Sequence, residues 1–165
     1  VQVPIPPVVA ASWVLDRLTT DPLVVLADVR WYLDGRPGRA AFEDAHLPGA
    51  VFVDLDHDLS RADLDPTEGR HPLPAPATFA AAMGRLGIGD EHLVVAYDDS
   101  GGMSAGRLVV MLRMLGRRAT LLDGGLAAWP GPVDRGPGLE REQAVFTPSP
   151  WSGWSADPER PAATG

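Results

Sequence analysis

The 165-residue sequence contains no cysteine and no lysine; all 14 of its basic residues are arginine. The first absence excludes a disulfide framework, thiolate metal sites and a thiol nucleophile within these residues. The second excludes a Schiff base and the lysine of a P-loop phosphate site. Positive charge is also in short supply. Against 22 acidic residues the net charge is −8, the wrong sign for a nucleic-acid footprint. No apolar run nears the roughly 18 residues of a spanning helix, and no charged-then-apolar leader precedes the first element. No nucleic-acid, membrane, metal or cofactor partner is therefore expected, and the expected compartment is the cytoplasm. The chain opens at Val1 rather than Met, as a piece cut from something longer would.

What is present is a globular composition, 45% hydrophobic, with 18 glycines and 17 prolines gathered at the ends and in the middle loops. Its richness in Ala, Gly, Pro and Arg points to a GC-rich bacterial coding sequence. The length suits one domain with a real core. After an extended, proline-punctuated lead-in, "VQVPIPPV", Ser12 is placed to cap a helix to about Leu18. Strands are expected at "LVVLADVR" (23–30), "AVFVDLD" (50–56), "HLVVAY" (92–97) and "RATLLDGG" (118–125), all runs of buried-strand type. Helices are expected from Arg39 to Ala45, over "PATFAAAMGRLGI", over "MSAGRLVVMLRMLG" and at "GLAAWP". Strands alternating with helices imply an α/β domain with a small, mostly parallel sheet and helices on both faces. Residues 1–140 form the expected domain, folded from about 8 to 135, and 141–165 an expected Pro-rich linker or tail.

Ligands of such sheets collect outside the carboxyl ends of the strands. Carboxylates stand there: Asp28, Asp54 and Asp56, Asp98 and Asp99, and Asp123. The loop Asp98-Asp99-Ser100-Gly101-Gly102-Met103 joins a strand to a helix N-terminus, a place where free N–H groups and the helix dipole favour an anion. One account of it is a simple helix cap; the other is a catalytic loop whose nucleophile has been replaced. Asp54-Leu55-Asp56 resembles the Asp-x-Asp of magnesium-dependent phosphatases, but Asp58 stands where Thr or Val is needed and the required lysine is missing. The four histidines, His46, His57, His71 and His92, show no tight ligand spacing, so no zinc site is expected.

Taken together, "LADVR", "AFEDAHLPGAVFVDLD", "LVVAYDDSGGMSAGRLVVMLRMLG" and "LLDGGLAAW" resemble a rhodanese domain over about residues 12–130. More narrowly they resemble the N-terminal half of two-domain thiosulfate and 3-mercaptopyruvate sulfurtransferases. Ala45 is a departure, since the family usually has Gly before the histidine. The resemblance implies the three-layer rhodanese fold and a reaction in which sulfane sulfur passes through a cysteine persulfide to a thiophilic acceptor. It also implies that Asp98 stands where reacting members carry that cysteine. A carboxylate forms no persulfide, so residues 98–103 would be a vestigial loop and the isolated chain inactive. The partner implied is a second, cysteine-bearing rhodanese domain, with a small sulfur donor bound between the two. Asp56 and His71 then fall where the mercaptopyruvate enzymes keep an Asp and a His beside the cleft. Asp28, Arg30, Glu43 and His46 would be structural, with Arg30 paired to an acid such as Glu43 and His46 holding a turn. The alternatives are a stand-alone inactive rhodanese module with a binding or regulatory role, and, more distantly, the Asp-based phosphatase.

Overall fold

The computed structural model describes residues 3–61, 67 and 69–151. Among these residues five strands form one all-parallel sheet. Their spatial order is β1 (Val8–Val9), β5 (Arg118–Leu122), β4 (Leu93–Tyr97), β2 (Val24–Asp28) and β3 (Val51–Phe52). The connections are α1 (Ala11–Thr20), α2 (Gly38–Asp44), α3 (Leu55–Asp58), α4 (Pro76–Arg85) and α5 (Met103–Met114), with a 3₁₀ turn at Gly125–Ala128. The strands are apolar without alternation because both faces are covered. In β4, Leu93, Val95 and Tyr97 join the cluster holding Val14 of α1 and Phe42 of α2. Val94 and Ala96 point the other way, to Phe79 and Met83 of α4 and Leu108, Met111 and Leu112 of α5. The expected layers are therefore present, and the sheet is wholly parallel.

Four local expectations are corrected. The lead-in contributes a fifth strand: Leu121 N–H donates to Pro7 O at 3.0 Å, and Thr120 Oγ1 donates to Pro6 O at 2.7 Å. Prolines fit there because β1 lies at the sheet edge, where no outward N–H is needed. Ser12 is not the cap of α1; the helix begins at Ala11 behind Ala10, with no side-chain cap. The strand expected over 50–56 is only Val51–Phe52, because Asp54 accepts from the N–H groups of Asp56 and His57 and starts α3. Finally, the fold does not stop near residue 135. Phe146 is buried edge-on against Phe79 at 5.6 Å, and Ala144 N–H donates to Gly84 O at 3.0 Å. Trp151 packs on Phe79 at 5.2 Å and donates Nε1–H to Pro74 O at 2.8 Å. The first part of the expected linker is thus a strap on the domain; its remainder, 152–165, lies outside the described residues.

The chain steps from β2 to β3 in one direction and from β4 to β5 in the other. The crevice between the carboxyl ends of β2 and β4 is therefore the topological switch point, the usual place for a site in an open parallel sheet. Asp28 and Tyr97 are in register there, and Asp98 follows directly.

Candidate functional site

The loop between β4 and α5 wraps around the side chain of Asp98, which is 2% exposed. Its Oδ1 accepts from the N–H groups of Ser100 at 3.0 Å and Gly102 at 2.9 Å. Its Oδ2 accepts from Ser104 at 3.0 Å and Ala105 at 2.9 Å. Four donors, two of them from the first turn of α5, thus meet one carboxylate at the positive end of the helix. Gly102 makes this wrap possible. It sits at φ +86°, and a Cβ there would press on Leu121 Cδ2. Ser100 Oγ is buried in the loop without a hydrogen-bond partner among the described residues, and Met103 stands 81% exposed at the mouth.

Asp99 points outward and accepts the Tyr32 hydroxyl at 2.6 Å. Burial, together with the Asp99 carboxylate it faces, pushes Tyr32 up to about 12. Arg36 lies over the Tyr32 ring at 4.1 Å. Beneath, Arg30 grips Asp28 through Nε and Nη2 and also donates to the carbonyls of Ala41 and Ala45. The expected Arg30–Glu43 pair is not formed: Asp28, two residues away at the end of β2, is nearer, and Glu43 meets Arg39 at 3.5 Å instead. His46 is buried, stacked on Phe42 at 3.9 Å, with Nδ1 2.7 Å from Phe42 O. Its backbone exchanges two hydrogen bonds with Asp134, so it closes a turn against the later chain.

A cleft of about 580 Å³ opens beside these residues, lined among others by Trp31, Tyr32, Arg36, Arg70, Asp56 and His71. Asp56 and His71, 15 positions apart, meet here with Oδ1 3.4 Å from Nδ1. Trp31 donates Nε1–H to the other oxygen, Asp56 Oδ2, at 3.0 Å and meets the His71 ring edge-on at 5.1 Å. His71 Nε2 is buried and, among the described residues, has no hydrogen-bond partner. Burial lowers the His71 imidazole below its ordinary range; Asp56 opposes this, while Arg107 and Arg70 add to it. A neutral imidazole beside a carboxylate is able to accept or relay a proton. Asp54, by contrast, is committed to capping α3, and Asp58 is buried against Arg85 at 2.7 Å. Among the described residues no group of His, Asp and Glu is arranged to hold a metal ion.

Sequence reasoning missed Trp31, Tyr32 and Arg107. The aromatic pair directly after β2 was the available signal, since two large rings in a polar loop at a strand's carboxyl end have little reason to be there unless they line something. Arg107 carried no signal, being one arginine on an otherwise apolar helix.

A five-stranded parallel sheet with a loop wrapped around a carboxylate at its switch point defines an open α/β domain with its candidate site at the strands' carboxyl ends. The rhodanese-like domain model matches residues 10–131, and the chain belongs to that family. It is 44% identical over 116 residues to the "probable 3-mercaptopyruvate sulfurtransferase" of Pseudomonas aeruginosa, covering 68% of this chain and 40% of that protein. It is 43% identical over 130 residues to the human 3-mercaptopyruvate sulfurtransferase, covering 73% of this chain and 42% of that protein. Among solved structures it resembles SseA of Escherichia coli, described as a 3-mercaptopyruvate sulfotransferase with the rhodanese fold. That match has a TM-score of 0.74 at 30% identity and covers 88% of this chain and 56% of the other. The chain thus spans about two fifths of the length of these curated relatives. No helix among the described residues is long and apolar enough to cross a membrane.

Proposed function

We propose that this chain is the cysteine-free rhodanese domain of a thiosulfate or 3-mercaptopyruvate sulfurtransferase. Its partner is a second rhodanese domain that carries the reacting cysteine, and the small sulfur donor binds between the two. One observation carries the reading: four loop N–H groups converge on the Asp98 carboxylate in a chain without any thiol. In a reacting loop the same donors would stabilise a thiolate and the persulfide it carries. Here an oxygen acid occupies them, and oxygen carries no sulfane sulfur. The chain's contribution to the reaction is one wall of the cleft, on which Asp56 and His71 are placed to orient or move a proton. The share of the relatives' length that the chain covers supports a further domain. A cytoplasmic bacterial enzyme working without metal or organic cofactor fits this role.

The test is a sulfur-transfer assay, with thiosulfate and with 3-mercaptopyruvate as donor and cyanide as acceptor. The isolated chain is expected to stay at background. Mixed with a purified cysteine-bearing rhodanese domain it is expected to raise that domain's turnover, and the His71→Ala chain to raise it less. Turnover by the isolated chain, or no effect of mixing, overturns the reading.

A further inference from the structure

Arg107 is half-buried on α5, two residues beyond the last N–H that holds Asp98. Its Nε and Nη2 donate to Leu59 O at 3.2 and 2.7 Å, and Nη2 donates again to His71 O at 2.8 Å. Among the described residues no carboxylate faces it, and burial alone acts on its charge, favouring the neutral form. A cation withdrawn from water without a counter-ion is unfavourable, and the two carbonyls it holds both belong to the segment that carries His71. From the opposite side, the Trp31 indole holds Asp56 Oδ2 and leaves Oδ1 for the imidazole.

We propose that Arg107 and Trp31 are positioning residues for the Asp56–His71 pair: Arg107 ties the His71 backbone to α5, and Trp31 aims the Asp56 carboxylate at the ring. This rests on the reading of that pair as cleft-lining, and it gives the cysteine-free loop a continuing task. Asp98 anchors the first turn of α5, and α5 carries Arg107 to His71. Asp99 holds Tyr32, whose neighbour Trp31 reaches Asp56. The groups facing His71 are Asp56 from α3, Arg107 from α5, Arg70 beside it in the chain, and the Ser60 hydroxyl, 3.4 Å from Nδ1. Asp56 favours the imidazolium; the two arginines disfavour it.

The experiment is an NMR titration of the His71 ring in the 165-residue chain, with amide exchange read in the same samples. In Arg107→Gln the midpoint is expected to rise, because a positive charge has gone. In Arg107→Lys the charge remains but the two-carbonyl grip is lost, so the midpoint stays near wild type while exchange of the Arg61 amide, which donates to Pro72 O next to the gripped carbonyl, accelerates about tenfold. For Trp31, Asp56→Asn is compared in the native and Trp31→Phe backgrounds, where its effect on the midpoint is expected to fall by about half or more. An unchanged midpoint in Arg107→Gln, wild-type exchange in Arg107→Lys, or an equal Asp56→Asn effect in both backgrounds overturns the proposal. If Arg107→Gln does not fold, Arg107→Lys and the Trp31 comparison decide. Sulfur transfer is not read in these measurements, so a failure of the functional reading shows up separately, in the mixing assay.

Discussion

Gly125 lies with its bare Cα against the backbone carbonyl of Asp98, so close that a Cβ at this position would collide with it. Leu126 N–H donates to the same oxygen at 3.2 Å, so the turn after β5 clamps the loop after β4. The Leu-Asp-Gly-Gly stretch and the Asp98 loop, 27 positions apart in the numbering, are one structural unit.

Gly125→Ala is expected to destabilise the chain by about 2–4 kcal/mol, combining the collision with a φ of +57° that only glycine adopts without strain. Urea unfolding monitored by circular dichroism measures it. A loss below about 0.5 kcal/mol would mean that the clamp yields freely.

Asp98→Ala removes the acceptor from four converging N–H groups, and unpaired buried donors are costly, so a loss of at least about 2 kcal/mol is expected. Asp98→Asn keeps one oxygen and turns an NH₂ group towards two of the donors, so its cost should fall between those of wild type and Asp98→Ala. Equal stability of Asp98→Ala and wild type would remove the anchor from the account of this loop.

Asp98→Cys places a thiol among the same donors, at the N-terminus of α5. Its thiolate should be stabilised, and the midpoint of its alkylation by iodoacetamide should fall at least about one unit below the ordinary thiol value of about 8.5. A midpoint at or above that value would show that the cradle does not suit a thiolate.

The strap is expected to belong to the domain. Phe146→Ala should cost about 3 kcal/mol, as the loss of a buried aromatic ring does. Truncation after residue 139 should cost at least as much, because the hydrogen bonds of Ala144 and Val145 to the domain go with it. A truncated chain with unchanged unfolding would contradict this.

Acid sensitivity follows from His71 and His92, both held below the ordinary histidine value near 6.5, with burial the largest cause in each. A folded-state value below the unfolded one means that the unfolded chain takes up protons first. The stabilisation is then complete above about pH 6.5 and declines as pH falls through the folded-state values. Replacing both by Gln should flatten the decline of stability as pH falls below about 6.5. An unchanged slope there would assign the acid response to other groups.

Much of the fold was legible because it rests on local rules. The runs ending at Asp28 and Tyr97 are too short and too apolar for anything but strands buried on both faces, and the Gly101-Gly102 pair marks a turn into a helix. Other features were hidden by their dependence on distant partners. The proline-rich lead-in pairs only because β5 presents a free edge. The chain turns out of the sheet after Val53, whose N–H still donates to Asp28 O, because the Asp54 side chain captures the N–H groups ahead of it. Phe146 looked like one apolar residue in a polar tail until the Phe79 ring and the bare surface of Gly84 supplied its seat.

The chemistry divides in the same way. The amino-acid sequence alone determined that no thiol exists in this chain, a matter of atomic composition, and its resemblance to rhodanese domains placed Asp98 at the reacting position of the loop. Only the tertiary structure decided that Arg30 meets Asp28 rather than Glu43, that Trp31 and Asp56 touch, and that Arg107 reaches back to His71. Those contacts are set by how separate segments settle around a shared sheet edge, and spacing along a chain does not encode distance across a fold.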